Sequence, residues 1–183
     1  SVRTSTMNAS TRSTAWSGLY TTIDQANAVL KYADKVDMTE SEKGFAIGQA
    51  ACARAYCYFW AARLGGDVPL NLVPIESVNQ PETYPERAPK VDVYAQIGRD
   101  IETAAANSAY LGGDKYFATA DAVNMLKAEY GLWMYTTQDG GDSYLNLAAE
   151  ALSAIGISSG KLLPKYSEVF SRDHKCNSEV VFA

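Results

Sequence analysis

The chain has 183 residues, of which 47% are hydrophobic and 20% are charged, and its formal net charge is −5. This composition is typical of a globular domain or part of a larger one, and it excludes extensive disorder. The acidic balance, without a dense cluster of lysine and arginine, argues against nucleic-acid binding. With a single histidine, His174, and no catalytic or cofactor-binding motif, we expect no catalytic residue, no metal site and no cofactor.

The first predicted element is an amphipathic helix over residues 13–36. Apolar and aromatic residues recur there at steps of three and four, the spacing of one helix face. They are Trp16, Tyr20, Ile23 and Leu30, and Asn27 lies at the same spacing.

A second helix is predicted over residues 41–64, and Thr39 with Glu42 forms a capping-box pattern at its start. From Ile47 to Ala62 it is apolar on nearly every side, which predicts a central helix packed on more than one side.

Arg54 and two cysteines are the chemically notable residues of this second helix. Because an unpaired buried charge is costly, we expect the Arg54 guanidinium to bond carbonyl groups or an acid such as Asp67. Cys52 and Cys57 are five residues apart, which puts them on different helix faces, so a disulfide between them is not expected. They are interpreted as buried free thiols.

A long extended crossing is predicted over residues 66–90, which contain five of the six prolines. Prolines at this density exclude a helix interior, and a connection of this length lies over a surface or has a function of its own.

Helices resume over residues 91–157, in three segments, and the second of these has Thr119 as its N-cap. Residues 158–183 are predicted to form a loop and short terminal segments. We expect the first helix to pair with the second and the third with the fourth, and the fifth to lack a partner in this chain. The fold class is therefore all-α, with irregular tetratricopeptide-like antiparallel helix pairs and a long proline-rich crossing.

The run RAYCYFWAARLGGDVPL at residues 54–70 resembles the signature of the SusD/RagB family. Four other segments resemble family landmarks in the same order. They begin at Trp16, Arg87, Ala118 and Leu162. One departure is the Gly65–Gly66 pair, where the family usually has an aromatic residue before glycine.

This resemblance implies a single SusD-like helical-repeat region over residues 1–183, within a protein that is longer than this chain. Members are non-catalytic nutrient-binding lipoproteins on the outer membrane of Bacteroidetes, most often for glycans, and they deliver ligand to a SusC-like TonB-dependent transporter. The expected partners are that transporter and an oligosaccharide or other nutrient. Contact with the membrane is expected only through an N-terminal lipid anchor missing from this chain.

Three residues are candidates for glycan contacts: Asn8, Arg12 and Tyr84. Asn8 and Arg12 precede the first helix, where a rim can form, and Tyr84 is the aromatic residue of the proline-rich crossing. Aromatic rings cover the C–H side of a pyranose, while asparagine and arginine bond its hydroxyl groups. The aromatic residues at helical spacing are interpreted as core.

Two other functions remain open from the sequence. A helical-repeat scaffold that binds only protein needs the same helices but no glycan site. A glycan-cleaving enzyme needs two carboxyl groups poised across a cleft. Glycan binding without product release separates the family function from both.

Overall fold

Within residues 16–156 and 161–182, the part of the chain that the computed structural model describes, the backbone forms six α-helices and one two-stranded β-ladder. The helices are α1 Ser17–Tyr32, α2 Glu40–Gly65, α3 Lys90–Ala106, α4 Ala120–Thr137, α5 Asp142–Ile155 and the single turn α6 Tyr166–Val169. The strands are β1 Val68–Pro69 and β2 Arg87–Ala88. The all-α prediction is confirmed.

The start of α2 is fixed by the predicted capping box. The Thr39 hydroxyl accepts a hydrogen bond from the Glu42 backbone N–H at 3.2 Å, and the Glu42 carboxylate accepts one from the Thr39 N–H at 2.9 Å. Both bonds satisfy donors that the first helical turn leaves without an intrahelical partner. The helix ends at Gly65 and is followed by the C-cap residue Gly66, whose φ of +67° suits glycine.

Helix α2 packs against both α1 and α3 and carries the largest set of buried residues of any helix in the described ranges. This confirms the prediction of a central helix. Tyr58 and Phe59 are fully buried in its contact with the other helices, and Tyr130 of α4 joins the same hydrophobic core.

The predicted pairing of the third helix with the fourth is wrong, because α4 makes its main contact with α5 and touches α3 much less. Small residues permit this contact: a Cβ added at Gly131 would lie 2.7 Å from the Tyr144 carbonyl oxygen and 3.1 Å from the Ala148 Cβ. Together with Ala128 and Ala151, these residues allow the two helices to approach closely. The fifth helix therefore has its partner within the chain.

The proline-rich crossing runs between α2 and α3 in extended backbone, and its two ends pair as β1 and β2 in antiparallel register. Polar side chains of the helices hold it. Asn27 of α1 donates to the carbonyl oxygens of Asn71 and Val73 at 3.0 and 3.1 Å. The Tyr58 hydroxyl donates to the Asn71 carbonyl at 2.7 Å and accepts from its N–H at 2.8 Å. The crossing is thus anchored across α1 and α2.

Arg54 is buried and bonded, but its acidic partner is Asp100 of α3 rather than Asp67. Its guanidinium donates to both Asp100 carboxylate oxygens, at 2.8 and 2.6 Å, and to the Asn27 side-chain oxygen at 2.7 Å. Gln96 donates a further bond to Asp100 at 2.7 Å. This network joins α1, α2 and α3.

Asp67 has a different structural role at the end of the crossing. Its carboxylate accepts the backbone N–H of Lys90, the first residue of α3, at 2.8 Å. Its carbonyl oxygen accepts a bond from Arg87 at 2.7 Å. The residue therefore ties the end of α2 to the start of α3.

In the described ranges, none of the helices combines the length and the apolar character that a membrane-spanning segment requires.

Candidate functional site

The three residues proposed from the sequence as glycan contacts are not brought together by the structure. Asn8 and Arg12 lie outside the described residues. Tyr84 follows the 3₁₀ turn Pro81–Thr83 in the crossing, and 86% of its surface is exposed. Its ring is therefore available to a ligand.

A second candidate surface lies where α2 and α4 reach solvent; we call it the aromatic face. It consists of the exposed rings of Tyr56 and Trp60, the partly buried ring of Trp133, and the charged side chains of Arg63 and Glu129. Tyr56 and Trp60 are one helical turn apart, so they lie on the same side of α2. Their exposed fractions are 47% and 38%, and their ring centroids are 6.3 Å apart. The described surface thus presents two adjacent aromatic rings.

The Arg63 guanidinium is held among three rings of this region. Its central carbon lies 4.9 Å from the ring centre of Phe59, 5.4 Å from that of Trp60 and 4.8 Å from that of Trp133. Contacts of this kind are attractive because the face of an aromatic ring is electron-rich. The one acidic group within ion-pair distance in the described ranges is Glu129, at 3.8 Å. The arginine is positioned by packing, while its N–H groups make no hydrogen bond to any described residue.

Trp133 is itself fixed by a hydrogen bond. Its indole Nε1 donates to the Tyr94 hydroxyl at 2.8 Å. Tyr94 is buried, and burial raises the pKa of its hydroxyl. The ring that supports Arg63 is therefore anchored in the core.

An apolar groove of about 370 Å³ adjoins the aromatic face, which it meets at Tyr56 and Glu129. Its walls come from α2, from α4 and from the segment near the end of the chain. They include Ala53, Met125, Leu126, Val181 and Phe182.

Cys52 and Cys57 both line this groove, although their spacing of five residues separates them by about 140° around α2. Both are buried and free, as expected. Burial raises the pKa of the Cys52 thiol to about 11. Burial also raises the pKa of the Cys57 thiol, and a hydrogen bond with the Thr22 side chain offsets part of this increase. Burial therefore disfavours the thiolate, which is the nucleophilic form, at both positions.

A smaller cavity of about 210 Å³ lies between α3, α4 and α5. Arg99 at its edge donates two hydrogen bonds to the Gln96 side-chain oxygen, at 3.0 and 2.8 Å. The Tyr130 hydroxyl in its wall donates to the Tyr94 carbonyl oxygen at 3.1 Å. These groups thus already have protein partners. Elsewhere in the described ranges, no three His, Cys, Asp or Glu side chains converge as a metal site would require.

The aromatic face was not predicted from the sequence. Helical spacing predicts aromatic residues to be core, and this holds for Tyr58, Phe59 and Tyr130. Tyr56 and Trp60 belong to the same helix and carry the same apolar character. A polar residue next to them, Arg63, was the available signal that this side of α2 reaches solvent.

Residues 2–109 match a SusD-like family profile described as "Starch-binding associating with outer membrane". A SusD-like protein of Bacteroides ovatus is 29% identical over an alignment of 183 residues, covering 92% of this chain and 32% of that protein. A SusD-like protein of Formosa agariphila is 26% identical over 174 residues, covering 93% and 31%. The chain thus spans about a third of the length of the curated relatives it matches.

Solved structures show the same fold. A structure with xylogluco-oligosaccharide superimposes with a TM-score of 0.79 at 29% identity, covering 92% of this chain and 34% of that one. A laminarin-binding SusD-like protein gives 0.77 at 26% identity, covering 94% and 37%. NanU of Bacteroides fragilis gives 0.77 at 29% identity, covering 92% and 34%.

Proposed function

The chain belongs to the SusD-like family, and on this premise we propose that it forms part of a non-catalytic protein that binds glycans at the cell surface. The observation that carries this proposal is the nature of its structural neighbours. One contains a xylogluco-oligosaccharide and another is a laminarin-binding protein, and both share this fold over more than nine-tenths of the chain.

We further propose the route that family membership implies. The ligand is passed to a SusC-like TonB-dependent transporter in the outer membrane, and the whole protein is held on the cell surface by an N-terminal lipid anchor. The family description, which associates these proteins with the outer membrane, supports this location.

Asn8, Arg12 and Tyr84 remain the proposed glycan contacts within this chain. The exposure of Tyr84 supports its part in the proposal, because a ring that stacks on a sugar must present one face to solvent. The crossing that carries it is anchored to α1 and α2 at Asn71, and the Asn71 side-chain amide donates to the carbonyl oxygen of Glu82, two residues before the ring, at 3.2 Å.

The apolar groove favours one alternative, a helical-repeat scaffold that binds protein. Apolar grooves between helices accept amphipathic helices, and this groove is lined mainly by apolar side chains. A scaffold of this kind binds a protein partner and shows no affinity for oligosaccharides.

Calorimetric titration with laminarin and xyloglucan oligosaccharides tests the proposed function. We expect dissociation constants in the millimolar range, because the chain spans about a third of its relatives and we propose that the rest of the whole protein supplies further contacts. Losing two contacts of about 2 kcal/mol each moves a micromolar site to millimolar. A micromolar constant shows instead that the site lies wholly within these residues.

The same samples, analysed by chromatography after incubation, test the absence of catalysis. Unchanged oligosaccharides are expected. Shorter products contradict the non-catalytic assignment. Absence of binding to every oligosaccharide, together with binding to a protein partner, favours the scaffold.

A further inference from the structure

We propose that the aromatic face of Tyr56, Trp60, Arg63, Glu129 and Trp133 is a second glycan-binding surface, separate from Tyr84, that takes a neutral pyranose with adjacent free hydroxyl groups. This inference rests on the proposed function and adds to it a location and a sugar class. It stands on three features of the described residues: exposed rings, a positioned cation and a carboxylate beside it.

The rings provide the apolar half of the recognition. Tyr56 and Trp60 are half-exposed neighbours on one helix face, with centroids 6.3 Å apart. One side of a pyranose ring carries only C–H bonds, and aromatic rings remove such apolar surface from water. The side chains of tyrosine and tryptophan have few rotatable bonds, so ordering them on a ligand costs little entropy. Because both rings project from a helix, they are also held more firmly than rings on a loop.

Arg63 and Glu129 provide the polar half. The guanidinium offers N–H donors in a fixed plane, and the carboxylate offers acceptors. A pair of adjacent hydroxyl groups can accept from the first and donate to the second. Contacts with Phe59, Trp60 and Trp133 already restrict Arg63, so it has less freedom to lose when a sugar binds.

The pairing of charges selects a neutral sugar. Arg63 alone would attract a uronic acid, but the Glu129 carboxylate lies 3.8 Å from the guanidinium and repels a second anion. The adjoining groove lacks such a pair along most of its wall. A sugar is therefore expected on the face and not in the groove.

The indole N–H signals of Trp16, Trp60 and Trp133 provide a direct test by ¹H–¹⁵N NMR. Laminarihexaose and a xylogluco-oligosaccharide are the neutral probes, and a trimer of galacturonic acid is the anionic probe. We expect the neutral probes to shift the Trp60 and Trp133 signals, to leave Trp16 unchanged, and to bind at least tenfold more tightly than the trimer.

Substitutions then locate the binding. Trp60→Ala is expected to weaken binding of the neutral probes at this face at least tenfold. Arg63→Met keeps an unbranched chain against the rings but removes the donors, and it is expected to weaken binding fivefold or more. The matched control is Tyr135→Ala. The exposed fraction of Tyr135 is 39%, similar to the 38% of Trp60, but Tyr135 lies roughly 200° around α4 from Trp133 and therefore away from the aromatic face. It should change the affinity by less than twofold, and thermal melts confirm that each variant folds.

The outcomes separate this inference from the proposed function. If binding survives Trp60→Ala and is lost in Tyr84→Ala, the aromatic face is refuted and glycan binding by the chain stands. If no signal anywhere in the chain shifts at about 10 mM probe, well above a millimolar dissociation constant, both are refuted for this chain. A Trp60 shift that depends on protein concentration alone assigns the face to a second copy and overturns the proposal.

Discussion

Replacing Asp100 by leucine should be among the most destabilising single substitutions in this chain. Asp100 is 2% exposed and Arg54 is 8% exposed, so the change leaves a cation in the core with one remaining bond, to Asn27. Removing one partner of a buried ion pair costs about 3–5 kcal/mol. For a chain of this size the melting temperature should fall by roughly 6–20 °C.

The double variant Arg54→Met, Asp100→Leu tests the reasoning, because it removes the stranded charge. It should be more stable than Asp100→Leu alone, although the bonds that Asn27 and Gln96 make to the pair are lost. Lys31→Ala is the control: its ion pair with Glu76 is partly exposed at the surface, and such pairs contribute little to stability because water screens them. Urea unfolding measures all three. A double variant no more stable than Asp100→Leu would show that the cost comes from lost packing and would refute the argument.

Three further predictions concern other parts of the core. Cys52 and Cys57 should react with a thiol reagent much more slowly than the half-buried Cys176 at pH 7, since burial raises both thiol pKa values; fast labelling of both would contradict the central position of α2. Asp67→Ala should lower the unfolding free energy by about 1 kcal/mol in urea titrations without changing ligand preference, because it removes one hydrogen bond at the start of α3; lost binding at unchanged stability would place Asp67 in a ligand site. Burial raises the pKa of Tyr20 from 10.0 to about 12, so its contribution to stability is complete below pH 10 and is lost as the pH rises through 12. Urea unfolding from pH 8 to 12 should show this loss of stability, and Tyr20→Phe should lose less. Equal losses in the two proteins would exclude Tyr20 as a source of the pH dependence.

Features set by neighbouring residues were predictable from the sequence. The capping box of Thr39 and Glu42 and the N-cap of Thr119 depend on side chains three residues from the amides they bond, and both form as predicted. The proline-rich crossing was equally predictable, since proline lacks the N–H that a helix interior needs. Local chemistry thus defined where the helices begin and end.

Features that depend on distant residues were not predictable in the same way. Arg54 needed an acid, but nothing local distinguishes Asp67, 13 positions away, from Asp100, 46 positions away. The pairing of α4 with α5 depends on Gly131 facing Ala148, and alanine and glycine occur in several helices. Composition showed that helices could approach closely and did not show which ones.

The open side of α2 is the clearest case of this limit. Amphipathic helices reveal their solvent side through the spacing of polar residues, but α2 is apolar nearly all round and gives no such direction. Which side stays uncovered depends on where α1, α3 and α4 pack, and that leaves Tyr56 and Trp60 exposed. The inferred glycan surface therefore follows from tertiary packing, and a sequence pattern alone would have assigned the same rings to the core.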